Sequence, residues 1–305
     1  MRLDDLPESS NIEDRREEGG GGGFGGLPGG RGGLGLGTIV VLGLVGWALG
    51  IDPRLLIGGA ELVSGGGSPI ETRAPVNRPT GVPQDQMGRD VSRILGSTEV
   101  VWKDIFAKDG KTYRTPILVM YSGATEARGC GGAQAAMGPF YCPADEKVYL
   151  DTSFFRELVT RFHGCDTGSR SCVFAQAYVI AHEVGHHVQK LLGVLPRVQQ
   201  QQQAAASKAA ANHLQVEVEL QADCLAGVWA HNSNERWNEL EAGDVDAALR
   251  TASAIGDDTL QRQAQGRVVP DSFTHGTSAQ RQRWFNSGFK GGTVGSCNTF
   301  GASQL

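Results

Sequence analysis

Apolar residues recur every three or four positions in three stretches of the chain, which is the period of a helix with one buried face. These stretches are residues 84–106, 173–192 and 212–231. Two short apolar runs that favour β structure, residues 116–121 and 148–150, predict strands. The pattern therefore predicts an α+β fold that is mostly helical and contains a small β-sheet.

The part of the chain before the first helical stretch has a different pattern. Residues 1–32 are acidic and then glycine-rich, with little to bury, so we expect a disordered tail. Residues 33–51, GLGLGTIVVLGLVGWALGI, carry no charge and are numerous enough to cross a bilayer as one transmembrane helix. Residues 52–82 are predicted to be a linker, and residues 83–305 a folded domain. A buried core helix or a glycine-rich linker is the alternative for residues 33–51, and it would give a soluble protein.

The charges around the apolar run predict its orientation in a cell membrane. Four arginines precede the run, whereas only Arg54 follows it closely. The positive-inside rule then predicts a single-pass protein with a cytoplasmic N-terminus and an extracytoplasmic domain.

All six cysteines follow the apolar run, and their number is even. This placement favours disulfides in an exported domain, and six reduced cysteines in a cytosolic protein are the alternative. Six cysteines allow fifteen connectivities. Local spacing favours Cys130 with Cys142 and Cys165 with Cys172, which leaves Cys224 with Cys297.

Two of the predicted helices carry residues that can bind a metal ion. The first contains HEVGH at residues 182–186, an instance of the HExxH zinc pattern. Positions i and i+4 share one helical face, so His182 and His186 can turn toward one ion, with Glu183 beside it to accept a proton from water. The second helix carries Glu219 and Asp223, also four positions apart. His, His and Glu is a known ligand set for catalytic zinc, and Asp223 could bond the other ring nitrogen of a ligand.

The alternative is a pair of amphipathic helices whose histidines and carboxylates only pack or face solvent. Against it, the small residues Gly185 and Ala222 would let the two helices approach closely.

The motifs resemble those of known families. HExxH followed by a helix bearing ExxxD resembles the gluzincin metallopeptidases. The runs GPFYCPADEKVYLDTSFF, FAQAYVIAHEVGHHVQKLLG and ELQADCLAGVWAH are similar to the putative neutral zinc metallopeptidases of bacteria, a family of membrane-anchored proteins. The resemblance covers residues 81–300 and implies a zincin-like domain that hydrolyses peptide bonds. It implies a Zn²⁺ ion bound by His182, His186 and Glu219, with Glu183 as catalytic base and Asp223 orienting a ligand.

The resemblance also implies residues that contact the substrate. In gluzincins the edge strand of the sheet binds extended substrate by strand addition. Residues 137–150 lie where that edge would be, so Tyr141 and Tyr149 are predicted to bind substrate; a disulfide-pinned loop and hairpin is the alternative. His275, with Arg281 near it, resembles the late histidine or tyrosine that stabilises the oxyanion in such enzymes, and a loop histidine and a surface arginine are the alternative.

The expected function is therefore that of a zinc metallopeptidase, anchored in a lipid bilayer and acting on peptide or protein substrates. Peptide deformylase also uses HExxH with an upstream cysteine as third ligand, and Cys142 lies upstream of His182. A catalytically silent, membrane-tethered binding or assembly module that keeps zinc structurally is another alternative, although structural zinc usually has four protein ligands. The net charge of −5, without a basic run, argues against nucleic acid as a partner.

Overall fold

The computed structural model describes residues 1–17, 79–127, 129–134, 138–160 and 170–305. The predicted transmembrane helix, residues 33–51, lies outside these ranges, as does most of the predicted linker. Among the described residues, no helix has both the length and the apolar character that a membrane span requires. The predicted α+β architecture, mostly helical with a small sheet, is confirmed.

The three helical stretches predicted from the apolar period all form helices. They are α1 (Gln86–Lys108), α3 (Arg170–Leu191) and α5 (Lys208–Trp237). The remaining helices are α2 (Ser153–Thr160), α4 (Val194–Gln203), α6 (Asp244–Ala254), α7 (Asp257–Gln265) and α8 (Ser278–Gly291).

Side-chain caps explain where three of these helices begin. Asp85 accepts a hydrogen bond from the backbone amide of Gly88 at the start of α1, and Ser207 caps α5 in the same way. Thr277 and Gln280 form a reciprocal capping box at the start of α8. Each cap satisfies amides that have no partner inside the helix.

Four short strands form a sheet in the order β1 (Ile12–Asp14), β2 (Ile117–Tyr121), β6 (Lys147–Asp151) and β5 (Phe140–Cys142). The first three are parallel, whereas β5 runs antiparallel to β6 at one edge. Side chains alternate between the two faces of a strand. One face of β2 and β6 packs against the helices through Leu118, Met120, Val148 and Leu150. The opposite face carries Val119, Tyr121 and Tyr149. A separate hairpin, β3 (Ala124–Ala127) with β4 (Gly131–Gln134), contributes to the second face.

The predicted disordered tail, residues 1–32, is wrong for residues 1–17. Strand β1 pairs with β2, and Leu3, Leu6 and Ile12 are buried in the main core. A Cβ added to Gly96 of α1 would lie 2.1 Å from the carbonyl oxygen of Pro7, so the N-terminal segment lies directly on that helix. The segment is too short and too polar to fold by itself, and it is ordered because β2 and α1 supply its partners.

This pairing also contradicts the predicted membrane orientation. Strands β1 and β2 are hydrogen-bonded neighbours in one sheet. A single crossing of a bilayer between residues 17 and 79 would place them on opposite sides of the membrane. The predicted cytoplasmic N-terminus with an extracytoplasmic domain is therefore incompatible with the fold, because residues 1–17 and 79–305 must lie on the same side.

Two of the predicted disulfides are confirmed. Cys130 is bonded to Cys142 on the edge strand, and Cys224 on α5 is bonded to Cys297, which follows α8. Cys165 lies outside the described residues, so its pairing with Cys172 stays a prediction.

Small residues bring three helices into backbone contact. A Cβ added to Gly185 of α3 would lie 3.1 Å from the carbonyl oxygen of Ala222 on α5, which confirms the predicted close approach. On the other side of α5, a Cβ added to Gly288 of α8 would lie 1.9 Å from the carbonyl oxygen of Cys224. Helix α5 is therefore held tightly between α3 and α8, and side chains from all three can meet.

Candidate metal centre

The three predicted ligands come together where α3 crosses α5. His182 and His186 lie one turn apart on α3, and the Nε2 atoms of their rings are 3.2 and 3.4 Å from the same carboxylate oxygen of Glu219. Two ligand atoms bound to one tetrahedral zinc ion at about 2.05 Å lie about 3.3 Å apart. The spacing of these three donor atoms therefore fits a zinc ion.

The outward-facing ring nitrogens of both histidines also fit this assignment. The Nδ1 atom of His182 is 2.9 Å from Asp223 Oδ1, and that of His186 is 2.9 Å from Gln189 Oε1. Both partners are acceptors, so each Nδ1 carries a proton and, in the neutral ring, each Nε2 presents a lone pair. Two lone pairs and the Glu219 carboxylate then face one another, and a cation between them relieves their repulsion.

Asp223 belongs to a buried network with Arg281 and Tyr178. Arg281 donates to both carboxylate oxygens, at 2.8 and 2.9 Å, and the Tyr178 hydroxyl donates to Oδ1. Burial alone would raise the pKa of Asp223, but Arg281 outweighs it and the pKa falls to about 2. Arg281 is not the surface arginine of the alternative interpretation, because its side chain is only 3% exposed and is bound to Asp223 behind His182.

Glu183 is the carboxylate beside the two histidine ligands. Its side chain is buried. Burial raises the pKa of this carboxyl, whereas the neighbouring His182 and His186 oppose the rise. A raised pKa makes this carboxylate a stronger base than an exposed one, which suits a general base.

His275 lies on a turn that is held by Asp257. One Asp257 oxygen accepts hydrogen bonds from the backbone amides of residues 274, 275 and 276, and the other is 3.2 Å from His275 Nδ1. Partial burial alone would lower the pKa of His275, but the bond to Asp257 outweighs it and the pKa is raised. The adjoining Gly276 packs against Val216 and Leu220, which flank Glu219 on α5. The turn that carries the half-exposed imidazole therefore packs on α5 next to residues that flank Glu219, and the catalytic role of His275 stays a prediction.

The predicted substrate contacts of Tyr141 and Tyr149 are wrong. Tyr141 is 8% exposed, and its hydroxyl is 3.0 Å from Nδ1 of His187 on α3. Tyr149 is 1% exposed, stacks on Phe140, and donates to Asp145. Both rings fill the interior around the sheet. The main chain of β5 nevertheless forms an edge of that sheet, as predicted.

The arrangement expected for a peptide deformylase is excluded. Cys142 forms a disulfide with Cys130 and has no free thiolate to offer a metal ion. Glu219 supplies the third donor atom instead.

Three residues of the site were not predicted from the sequence. Gln189 lies three positions after His186, on the same helical face, and this spacing could have indicated it. Tyr178 likewise lies four positions before His182 on that helix, so the same kind of spacing could have indicated it. Asp257 offered no such signal, because its contact with His275 depends on how separate elements pack.

Comparisons with known proteins bear on the whole chain. A sequence model of the family described as "Putative neutral zinc metallopeptidase" matches residues 1–300. The "Uncharacterized protein YpfJ" of Escherichia coli strain K12 is 48% identical over 307 residues, covering 99% of this chain and 100% of that protein. The "Uncharacterized protein Rv2575" of Mycobacterium tuberculosis strain H37Rv is 40% identical over 274 residues, covering 84% and 85% of the two chains. No solved structure matches, so the zincin-like fold stays a prediction.

Proposed function

The chain belongs to the family of putative neutral zinc metallopeptidases, and we propose that it hydrolyses peptide bonds with one Zn²⁺ ion bound by His182, His186 and Glu219. The observation that carries this proposal is the convergence of three donor atoms beside the buried carboxyl of Glu183. A structural zinc site usually has four protein ligands, whereas the described residues supply three and leave a position for water or substrate.

The residues around the site have separable roles. A zinc ion held by His182, His186 and Glu219 would supply a Lewis acid and would lower the pKa of water in the site. Glu183 is placed to accept a proton from the attacking water and to return it to the leaving amine. Asp223 and Gln189 keep the histidine rings turned so that Nε2 faces the site. These two contacts keep the metal-binding atoms in place while Glu183 moves the proton.

His275 is suited to stabilise the negative charge that develops on the carbonyl oxygen. The bond from Nδ1 to Asp257 leaves Nε2 for the substrate, and the raised pKa favours the protonated, donating ring. Within the described ranges no strand pairs with the outer edge of β5, so its backbone groups are open to an extended peptide. We therefore expect recognition through the peptide main chain near this edge.

Residues 33–51 are proposed as the segment through which the chain meets a lipid bilayer. The pairing of β1 with β2 requires residues 1–17 and 79–305 to lie on the same side of that bilayer. Antibodies against the two parts, applied to intact and permeabilised cells, test this: labelling of both parts under the same condition is expected. Labelling of one part in intact cells and the other only after permeabilisation would contradict the arrangement.

Glu183→Gln tests the proposed hydrolysis in the full-length chain. Elemental analysis is expected to find about one zinc per chain in the wild type and in this variant, and little in Glu219→Ala. Hydrolysis of a pool of denatured protein should be lost in Glu183→Gln, because the carboxamide cannot accept the proton. Glu217→Gln, on the same helix as Glu219, is the matched control and should keep both zinc and activity.

Normal hydrolysis by the Glu183→Gln variant would refute the assigned base. A wild-type chain that holds zinc but cleaves no member of the pool would instead support the silent binding or assembly module.

A further inference from the structure

The second histidine ligand is held by a chain of two glutamine amides. His186 Nδ1 is 2.9 Å from Oε1 of Gln189, a side chain with no solvent exposure. The Gln189 amide donates to the carbonyl oxygen of Val218 at 2.8 Å and to Oε1 of Gln221 at 3.0 Å. The Gln221 amide in turn donates to the carbonyl oxygen of Cys297 at 2.9 Å.

The direction of each hydrogen bond in this chain is fixed by its ends. The carbonyl oxygens of Val218 and Cys297 can only accept, so the NH₂ groups of Gln189 and Gln221 must face them. The Oε1 atom of Gln221 therefore faces Gln189, and the Oε1 atom of Gln189 is left to face His186. An acceptor at this position requires a proton on Nδ1 of His186, and the lone pair then lies on Nε2, toward Glu219.

Both acceptor carbonyls have fixed positions. Val218 lies on α5, the residue before the ligand Glu219. Cys297 is bonded to Cys224 of the same helix, and its side chain is buried. Helix α5 therefore supplies one metal ligand directly and fixes, through the two amides, the ring of another.

We propose that Gln189 and Gln221 are positioning residues that set the tautomer of His186 and thereby the affinity of the site for zinc. This inference rests on the zinc site of the proposed function, but it concerns the binding of the ion and does not require turnover.

Gln189→Leu in the oxidised full-length chain is the main test. Loss of an outer-shell partner of a zinc ligand typically lowers metal affinity by 10–100-fold, and we expect a loss in that range in competition with a chromophoric chelator. Gln221→Leu removes only one of the two acceptors of the Gln189 amide, because the Val218 carbonyl remains. We therefore expect its zinc affinity to fall by less than about 10-fold. Gln261→Leu is the matched control, because Gln261 is also buried and hydrogen-bonded but contacts Ser272 and Val269.

Two further measurements distinguish a positioning role for Gln189 from a purely structural one. Thermal unfolding of each variant in chelator reports the loss of stability without zinc, and Gln261→Leu should lose stability without losing zinc affinity. Long-range ¹H–¹⁵N spectra of the zinc-loaded chain should show a slowly exchanging Nδ1 proton on His186 in the wild type. That signal should broaden or vanish in Gln189→Leu, whereas the Nε2 proton of His187, which bonds the Arg114 carbonyl, should be unchanged.

Equal zinc affinity and an unchanged His186 signal in Gln189→Leu would overturn the inference while leaving the zinc site intact. Absence of zinc from the wild type would overturn both this inference and the proposed function.

Discussion

Arg281→Met removes the buried cation that faces Asp223. The Asp223 side chain has no solvent exposure, and Arg281 binds both of its oxygens. Breaking a buried ion pair by removing one partner costs about 3–5 kcal/mol, because the other charge is left without compensation. Tyr178 and His182 still donate to Asp223 in the variant, so we expect a loss near the lower end, about 3 kcal/mol.

This loss can be measured as a shift in the melting temperature. A chain of this size shifts by roughly 2–4 °C per kcal/mol, so we expect Arg281→Met to melt about 6–12 °C below the wild type. Circular dichroism at neutral pH, in chelator and at one scan rate, measures the shift without a contribution from metal. Arg283→Met is the matched control: Arg283 lies on the same helix but is exposed, and its loss should stay within about 0.5 kcal/mol.

A double variant tests whether the uncompensated charge of Asp223 causes this loss. Adding Asp223→Asn to Arg281→Met removes the orphaned carboxylate, so the double variant should be more stable than the sum of the two single losses predicts. Losses that add to within about 0.5 kcal/mol would refute the reasoning, since independent sites add in that way.

Three further predictions concern other parts of the molecule. Burial alone would raise the pKa of Glu13, but hydrogen bonds from Lys147 and Arg15 outweigh it and lower the pKa. The paired Glu13 carboxylate therefore stabilises the fold above its ordinary pKa of 4.5, and this stabilisation is lost as the pH falls through the lowered pKa of the folded chain. The melting temperature of Glu13→Gln should fall less than that of the wild type over this pH range, and an equal fall would contradict the prediction. Gly288→Ala should cost about 1–3 kcal/mol in denaturant unfolding because α8 must move away from α5; an unchanged midpoint would argue against their backbone contact. His275→Gln should lower kcat/KM by about 10²–10³ while leaving the zinc content unchanged, and full activity would remove His275 from the mechanism.

The metal ligands could be predicted because most of their geometry lies within single helices. Two histidines four positions apart share a helical face whatever else the chain does, and Glu219 needed only one helix crossing to join them. The contacts of Asp223 with Arg281, and of Asp257 with His275, join residues 58 and 18 positions apart on different elements. Such pairs leave no periodic pattern in the sequence, because the packing of separate elements brings them together.

Local composition gave a wrong prediction where a segment is ordered by contacts with distant parts of the chain. Residues 1–17 were predicted to be disordered because they contain few apolar side chains, but those few fit the edge of β2 and the surface of α1. Tyr149 was assigned to the substrate because of its place near the edge strand. The strand order instead puts β6 inside the sheet, where this ring is buried.

The position of β1 also has a consequence for the timing of synthesis. Residues 12–14 leave the ribosome before their partner strand, which is complete only when residue 121 has been made, and the backbone amide of Arg2 finds its acceptor only with Glu239. Until then β1 lacks its neighbour, and an unpaired strand edge is a template for association with other chains. We therefore expect the nascent chain to depend on chaperones for longer than its predominantly helical structure would suggest.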